Sequence, residues 1–346
     1  MTTIQPDQGL QQLTLEGPVP LECGRVLPEV TVGYHAWGTL NATRDNVVVV
    51  CHALTGSSDV PAWWDGFIGE DCALDPARDF IVCSNVLGSC YGTTGPGAPA
   101  WDAVFGDRPD ALAVTIRDQV NVQRRWLQAL GVRGIRLVIG GSMGGMQALE
   151  WALLEPDMVG ALAVLAAPAR HHAWALALSA AQRQAIVTDS TWPDGPATAG
   201  LAVARMMAMI SYRSATSLDV RFSREAAPDG QFEVDGWLQR HGQRLVDRFN
   251  ARTYVALSHA LDSHDVGRGR GGVGPALRRV HQPAFVLGIT TDVLYPPPEL
   301  DALADALPRA TMSWLDSPHG HDAFLIELDS VSARIRQFRA QLTPSV

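Results

Sequence analysis

The sequence predicts an α/β fold: a mostly parallel sheet with helices on both faces, interrupted late by an all-helical insertion. Three observations lead there. From residue 47 onward, short Val- and Ile-rich runs alternate with helix-patterned runs, the arrangement of parallel strands joined by right-handed crossovers. One joint, Arg136-Leu-Val-Ile-Gly-Gly-Ser-Met-Gly-Gly-Met-Gln-Ala-Leu-Glu-Trp151, reads as strand, tight turn and helix with a serine at the tip. Finally, residues 168–279 contain helical runs and no convincing strand before the strand pattern resumes.

Taken in chain order, residues 1–9 read as a frayed terminus. Residues 10–21 and 30–37 form two strands with a turn near Gly24, an antiparallel ribbon at one sheet edge. Residues 47–51 are continuously apolar, as a central strand covered on both faces should be. They run into His52-Ala-Leu-Thr-Gly-Ser-Ser58. Residues 80–86 are the next strand, leading into the glycine-rich Asn85-Val-Leu-Gly-Ser-Cys-Tyr-Gly-Thr-Thr-Gly-Pro96. In residues 115–130, Ile116, Val120, Gln123, Leu127 and Leu130 recur at helical spacing, and Gly131 stands as the C-terminal stop.

The serine-bearing strand and its helix follow, with Pro156 ending the helix, and then a strand at 161–167. Helical runs occupy 174–187, 199–212 and 232–261. They are separated by Thr191-Trp-Pro-Asp-Gly-Pro196 and Ala227-Pro-Asp-Gly230. Gly267-Arg-Gly-Arg-Gly-Gly272 reads as a connector back to the sheet, because nothing helical is expected directly after it. A strand at 284–289, a helix at 299–307, a strand at 311–315 and a helix at 330–342 close the chain. The expected division is a core of residues 10–167 and 280–346, with residues 168–279 as a helical lid.

Composition removes several classes of function. The net charge of −9 argues against nucleic acid as the main partner. All 27 basic residues are arginine, which excludes a Walker-type phosphate loop and lysine Schiff-base chemistry. Five cysteines (Cys23, Cys51, Cys72, Cys83 and Cys90) form no CxxC pair, and their number is odd. This suits a reducing cytoplasm better than a disulfide framework. The first 20 residues lack the apolar stretch of a secretion signal, and no apolar run reaches 18 residues.

The chemistry centres on Gly140-x-Ser142-x-Gly144. A GxSxG pattern alone is common by chance, and a glycine-rich turn with an incidental serine is the bland alternative. Strand before and helix after are what a nucleophile elbow requires. The turn is strained, so residues close to the serine must be small; Gly140, Gly141, Gly144 and Gly145 meet that demand and can take φ > 0 at little steric cost. A serine needs a base, itself oriented by a third group. In α/β-hydrolase architecture these follow in the order serine, acid, histidine. Asp292 follows the penultimate strand, and His319 and His321 both follow the last one. The residues alone do not decide between the two histidines. Asp316 and Asp322 are rival acids, but lie too near the histidines in sequence to orient either from another strand end.

Two oxyanion donors are also needed. One is the N–H of Met143; the other is assigned to Leu54, in the loop after an early strand. The remaining histidines are read as structural or solvated. No HExxH or paired-cysteine pattern supports a metal.

At this point the chain resembles a known family, the serine-nucleophile homoserine O-acyltransferases of the α/β-hydrolase superfamily. The matching blocks are His52-Ala-Leu-Thr-Gly, Asn85-Val-Leu-Gly-Ser-Cys-Tyr-Gly-Thr-Thr-Gly-Pro, Thr115-Ile-Arg-Asp, Gly140-Gly-Ser-Met-Gly-Gly-Met-Gln, Gln182-Arg-Gln-Ala-Ile, Ser211-Tyr-Arg, Asp292-Val-Leu-Tyr-Pro-Pro and Gly320-His-Asp-Ala-Phe-Leu. They span about residues 20 to 340 in the family's order. Two departures are Ser89, where glycine is frequent, and the apolar Trp174-Ala-Leu-Ala-Leu-Ser-Ala-Ala181.

The resemblance implies His321 as the base. It implies Asp322 as contact for a substrate amino group and Arg213 as partner of its carboxylate, with Arg205 the alternative. It implies transfer of an acyl group, acetyl in the commoner case, from acyl-CoA to the hydroxyl of L-homoserine in methionine biosynthesis, without a bound cofactor. Succinyl transfer, a serine acceptor, or an esterase or thioesterase using the same triad are the alternatives. A cytoplasmic homodimer formed through the lid is also implied.

Overall fold

The computed structural model describes residues 9–106, 114–226 and 230–342. The expected frayed start, apart from residue 9, and most of the turn at 227–230 lie outside them. In chain order the first elements are β1 (Gln11–Thr14), β2 (Val19–Pro20), β3 (Val26–Leu27), β4 (Thr31–Trp37), β5 (Val47–Cys51) and β6 (Phe80–Ser84). Then come α1 (Pro99–Phe105), α2 (Ile116–Ala129), β7 (Ile135–Gly141), α3 (Met143–Leu154) and β8 (Leu162–Leu165). The helices α4 (Ala173–Val187), α5 (Thr198–Tyr212), α6 (Ala215–Phe222), α7 (Glu233–Val246), α8 (Ala251–Asp262) and α9 (Val273–Leu277) follow. The chain closes with β9 (Ala284–Ile289), α10 (Pro297–Ala306), β10 (Ala310–Leu315), α11 (Ala323–Ile326) and α12 (Leu328–Gln341).

Eight strands form one sheet in the order β1-β4-β6-β5-β7-β8-β9-β10. β1 and β4 pair antiparallel at one edge. From β6 to β10 every pairing is parallel. Because side chains alternate along a strand, β5 feeds two cores. Val47, Val49 and Cys51 pack with Trp126, Leu127, Leu149 and Trp151 of α2 and α3. Val48 and Val50 pack with Trp64, Phe67 and, from α12, Val331, Ile335 and Phe338. Burial on both faces is why β5 reads as an unbroken apolar run.

Helix α2 begins as its sequence signals. The Thr115 side chain accepts from the Asp118 N–H, and the Asp118 carboxylate accepts from the Thr115 N–H, a reciprocal cap. Between β8 and β9 the described residues form helices only, with α5 packed against α4 and α7, and α4 against α8.

Four expectations are corrected. The single strand at 10–21 divides, and its second half pairs with β3 in a small separate sheet. The helix at 232–261 is two helices. Asn250, a favoured N-cap residue, accepts from the Thr253 N–H at 2.8 Å and starts α8 afresh. Helix α6 was not expected; Ser214 caps it by accepting from the Ser217 N–H. Lastly, the short α9 starts directly after Gly272, so a helix does follow the glycine-rich connector.

Candidate active site

Strand β7 lies between β5 and β8, and Ser142 is the one residue between its end and α3. Its backbone has φ 56° and ψ −125°. A non-glycine residue held there stores about 1–3 kcal/mol of strain. Here the sequence reading needs correction, because none of Gly140, Gly141, Gly144 and Gly145 has positive φ; the serine itself does. The demand for small residues does hold. A Cβ on Gly144 would sit 2.0 Å from the Cys51 carbonyl oxygen, and one on Gly140 would sit 2.4 Å from the Gly144 carbonyl carbon. On Gly141 it would strike the Phe324 ring at 2.3 Å. The turn is glycine-rich so that α3 can press against the end of β5.

The loop after β5 is held by a chain of neutral hydrogen bonds. The Val86 N–H donates to His52 Nε2 at 3.1 Å, so Nδ1 carries the proton and donates to the Ala53 carbonyl at 2.8 Å. Burial lowers the His52 pKa to about 4, which keeps this tautomer uncharged. Gln147 on α3 donates to the carbonyls of His52 and Met143, both at 3.2 Å, and accepts from Gln123, which in turn accepts from Trp151. These bonds tie the loop after β5 to the start of α3. Met143 opens α3, so its N–H has no partner within the helix. Leu54 lines the cavity beside Ser142. Neither N–H is hydrogen-bonded among the described residues.

Asp292 follows β9, with one oxygen accepting the N–H groups of Leu294 at 2.8 Å and Tyr295 at 3.0 Å. Its other oxygen is 2.7 Å from His321 Nδ1. His321 follows β10 on the turn Gly320–Asp322 and is 3% exposed. The rings of Tyr212, Tyr295 and Phe324 surround it at centroid distances of 5.7, 5.2 and 5.7 Å. Burial acts to lower its pKa. The charge and hydrogen bond of Asp292, with the charge of Asp322, outweigh that and raise it. Its Nε2 is buried without a hydrogen-bond partner. His319 instead lies near Ser217 and Glu327, away from Asp292. Asp316 accepts from Thr290.

Ser142 and His321 open into one cavity of about 190 Å³, also lined by Leu54, Trp63, Arg205, Tyr212, Arg248, Asp322 and Phe324. That is below the roughly 300–1,000 Å³ of sites for drug-sized ligands. Asp322 faces Arg213, with 3.4 Å between a carboxylate oxygen and Nε. Burial raises the Asp322 pKa against the charges of Arg213 and His321. Arg213 is therefore beside the cavity, whereas Arg205 lines it, its guanidinium 5.5 Å over the Tyr212 ring. Arg248 was missed by sequence reasoning. It donates to the Thr55 carbonyl at 2.7 Å and to the Tyr91 hydroxyl at 2.6 Å, bracing the loop after β5. Its signal was the break at Asn250, hidden inside an apparently continuous helix. A wider cavity of about 610 Å³, lined by Arg183, Trp192 and His259 among others, includes none of these residues. Among the described residues, no group of His, Cys, Asp and Glu could hold a metal, and no helix is long and apolar enough to cross a membrane.

Comparison with known proteins places this site in context. Residues 46–328 match the family model described as the alpha/beta hydrolase fold. The chain is 48% identical over 343 residues to a homoserine O-acetyltransferase of Chlorobium luteolum, covering 97% of this chain and 95% of that protein. It is 50% identical over 337 residues to one from Trichormus variabilis, covering 94% and 93%. Among solved structures, a homoserine O-acetyltransferase from Bacillus anthracis superposes with a TM-score of 0.87 at 22% identity, covering 98% of this chain and all of that one. Esterase E22 superposes with a TM-score of 0.86 at 24% identity, covering 95% and 100%.

Proposed function

The chain belongs to the homoserine O-acetyltransferase family of α/β hydrolases, and from that premise we propose that it moves an acetyl group from acetyl-CoA to the hydroxyl of L-homoserine. The step belongs to methionine biosynthesis and runs through an acyl-serine. One observation carries the assignment of roles: Asp292 holds His321 by Nδ1 at 2.7 Å, and the unpartnered Nε2 belongs to a ring that lines the same cavity as Ser142 and Asp322.

Ser142, deprotonated by His321, attacks the thioester carbonyl. The N–H groups of Leu54 and Met143 receive the tetrahedral oxyanion, each such donor being worth about 3–4 kcal/mol. His321 then protonates the departing CoA thiolate. The homoserine hydroxyl enters, gives its proton to His321 and attacks the acyl-serine, releasing O-acetylhomoserine. Asp292 keeps the Nδ1–H tautomer and stabilises the imidazolium that forms in each half-reaction. Ser142 Oγ and His321 Nε2 are not hydrogen-bonded in this state, a looseness common before substrate binds. Asp322 takes the substrate amino group and Arg213 the carboxylate, to which a guanidinium presents two parallel N–H groups. Arg205 is the alternative cation.

Residues 168–279 act as a lid over the core of residues 10–167 and 280–346. The enzyme works in the cytoplasm as a homodimer through the lid, with no bound cofactor and acetyl-CoA as co-substrate. Trp174, Val203, Ile210 and Val220 of the lid helices, each more than 40% exposed, support the dimer contact. Five free cysteines support the compartment.

Rapid-mixing measurement of thiol release tests the nucleophile: wild type releases one CoA per subunit in the first turnover, and Ser142→Ala releases none. Persistence of that burst would assign the nucleophile elsewhere. Acetyl- and succinyl-CoA assayed against homoserine and serine separate the transferase alternatives. Thiol release that homoserine does not stimulate would favour an esterase or thioesterase.

A further inference from the structure

A group of arginines on the helices between β8 and β9 has no part in the mechanism above. Helix α7 carries Trp237, His241 and Arg244, and Arg248 stands just past its end. Three- and four-residue spacing puts the four on one face. At one end of that face the Trp237 ring lies 4.6 Å from His241, centroid to centroid. At the other end Arg248 lines the cavity of Ser142. Helices α5 and α6 pack against α7 and bring further positive charge. The Arg221 guanidinium of α6 lies 5.9 Å over the Trp237 ring. Arg205 of α5 lines the same cavity as Arg248.

These charges converge on His241. Burial, then the charges of Arg205, Arg244, Arg213 and Arg221, lower its pKa to about 4, so the ring is uncharged near neutrality. Arg213 is answered by Asp322. Among the described residues, Arg205, Arg221 and Arg244 make neither an ion pair nor a hydrogen bond. The chain has 36 acidic residues and a net charge of −9, yet it supplies these three with no carboxylate. Like charges gathered without counter-charge repel one another, and a bound anion offsets that repulsion.

Size decides which anion. The cavity of about 190 Å³ is below the roughly 300–1,000 Å³ that drug-sized ligands occupy, so acyl-CoA cannot enter it whole. The thioester must reach Ser142 while the diphosphate and the 3′-phosphate stay outside, a pantetheine arm away. Guanidiniums offer phosphate oxygens paired, parallel N–H donors.

We infer that Arg221 and Arg244 form the subsite for the phosphates of acyl-CoA, with His241 beside them as a neutral hydrogen-bonding partner. The subsite rests on the reading of acetyl-CoA as acyl donor. It is separate from Arg213 and Asp322, so the helices over the site recognise donor and acceptor at two different places.

The test compares two donors. Arg221→Gln and Arg244→Gln are assayed with acetyl-CoA and with S-acetylpantetheine, which has the same thioester and no phosphate on its arm. Each variant should lower kcat/KM for acetyl-CoA about tenfold, the effect of losing one charge-assisted hydrogen bond to phosphate. For S-acetylpantetheine it should stay at the wild-type value. For homoserine, where it reports the second half-reaction alone, it should also be unchanged. Rising salt should depress wild-type kcat/KM for acetyl-CoA more steeply than that of either variant. Equal losses with both donors would reveal general damage and overturn the subsite. So would wild-type kinetics with acetyl-CoA, or a changed oligomeric state with donor kinetics intact. Arg244, exposed and unbonded, keeps the test decisive if Arg221→Gln folds poorly. A wild-type enzyme that releases no CoA from acetyl-CoA would instead defeat the donor assignment, which separates the two failures.

Discussion

Replacing Asp292 with asparagine isolates orientation from packing. One Asp292 oxygen holds two backbone N–H groups, at 2.8 and 3.0 Å, and the other faces His321 Nδ1 at 2.7 Å. Asparagine has a single oxygen. If that oxygen kept the two N–H groups, its NH₂ would point at His321 Nδ1, and Nδ1 would have to accept. The ring proton then moves to Nε2, the atom that must receive the Ser142 proton. The fold loses little, since both buried N–H groups stay satisfied. Catalysis loses its base in the working tautomer, an effect of about 10⁴ in kcat, or about 5.5 kcal/mol. The pH profile should also move. The Asp292 charge and hydrogen bond are what overcome burial in raising the His321 pKa. The rising limb of kcat/KM therefore lies above the ordinary imidazole value in wild type and shifts to lower pH in Asp292→Asn. Thiol release by stopped flow, with thermal denaturation as control, reads both. A variant within tenfold of wild type, or one that loses activity and stability together, would refute the argument.

Three further outcomes follow from the geometry. Gly144→Ala places a Cβ 2.0 Å from a backbone oxygen of β5. It should cost about 3 kcal/mol or more of stability by denaturant titration, and a wild-type midpoint would show that α3 yields easily. Burial and the charge of Asp292, opposed by Arg170, raise the Glu299 pKa from 4.5 to about 7. The folded state thus holds that proton more tightly, and the stabilising contribution, complete below pH 4.5, is lost as pH rises through 7. Glu299→Gln should then gain up to about 3 kcal/mol over wild type at pH 8 and nothing at pH 4, and equal melting temperatures at both pH values would sink the idea. Arg213→Ala should raise the KM for homoserine about 10- to 100-fold with a smaller change in kcat, and a larger KM effect in Arg205→Ala would transfer the carboxylate to Arg205.

The strands were legible wherever burial alone decides the pattern. β5 and β9 carry the bounds read from their apolar runs because both faces of each strand are covered. Order along the chain was enough to place Ser142, Asp292 and the last-strand histidines at strand ends, since parallel topology brings those ends to one edge. What failed were features set by contacts distant in sequence. The divided first strand depends on a partner at β3. The break before α8 depends on a single capping asparagine within a helical pattern. The need for small residues at the elbow was legible, but the positive φ expected of its glycines was not found, and the atoms that exclude a Cβ, on Cys51 and Phe324, lie far away in sequence. Arg248 could not be connected to Thr55 or Tyr91 by any local pattern.

The backbone does not choose between water and an amino acid as acceptor. Esterase E22 and the Bacillus anthracis homoserine O-acetyltransferase superpose on this chain with TM-scores of 0.86 and 0.87, at 24% and 22% identity. At that identity the likeness speaks for the fold alone, and the fold serves both reactions. The distinction must then lie in side chains at the cavity. A hydrolase needs the base and the oxyanion donors, and an uncharged cavity would suffice. This cavity of about 190 Å³ instead carries Arg205, Arg248 and Asp322 on its wall, with Arg213 directly behind Asp322. Burying Asp322 raises its pKa and burying Arg213 lowers its own, so each is held in a disfavoured state that the other only partly relieves. In the proposed binding mode, a zwitterionic amino acid supplies the missing charges of both signs at once. Its binding energy can then hold the hydroxyl near the acyl-serine at an effective concentration far above that of water. On the proposed roles, acceptor choice in this scaffold is an electrostatic property of the cavity wall, separable by mutation from the acylation chemistry proposed at Ser142.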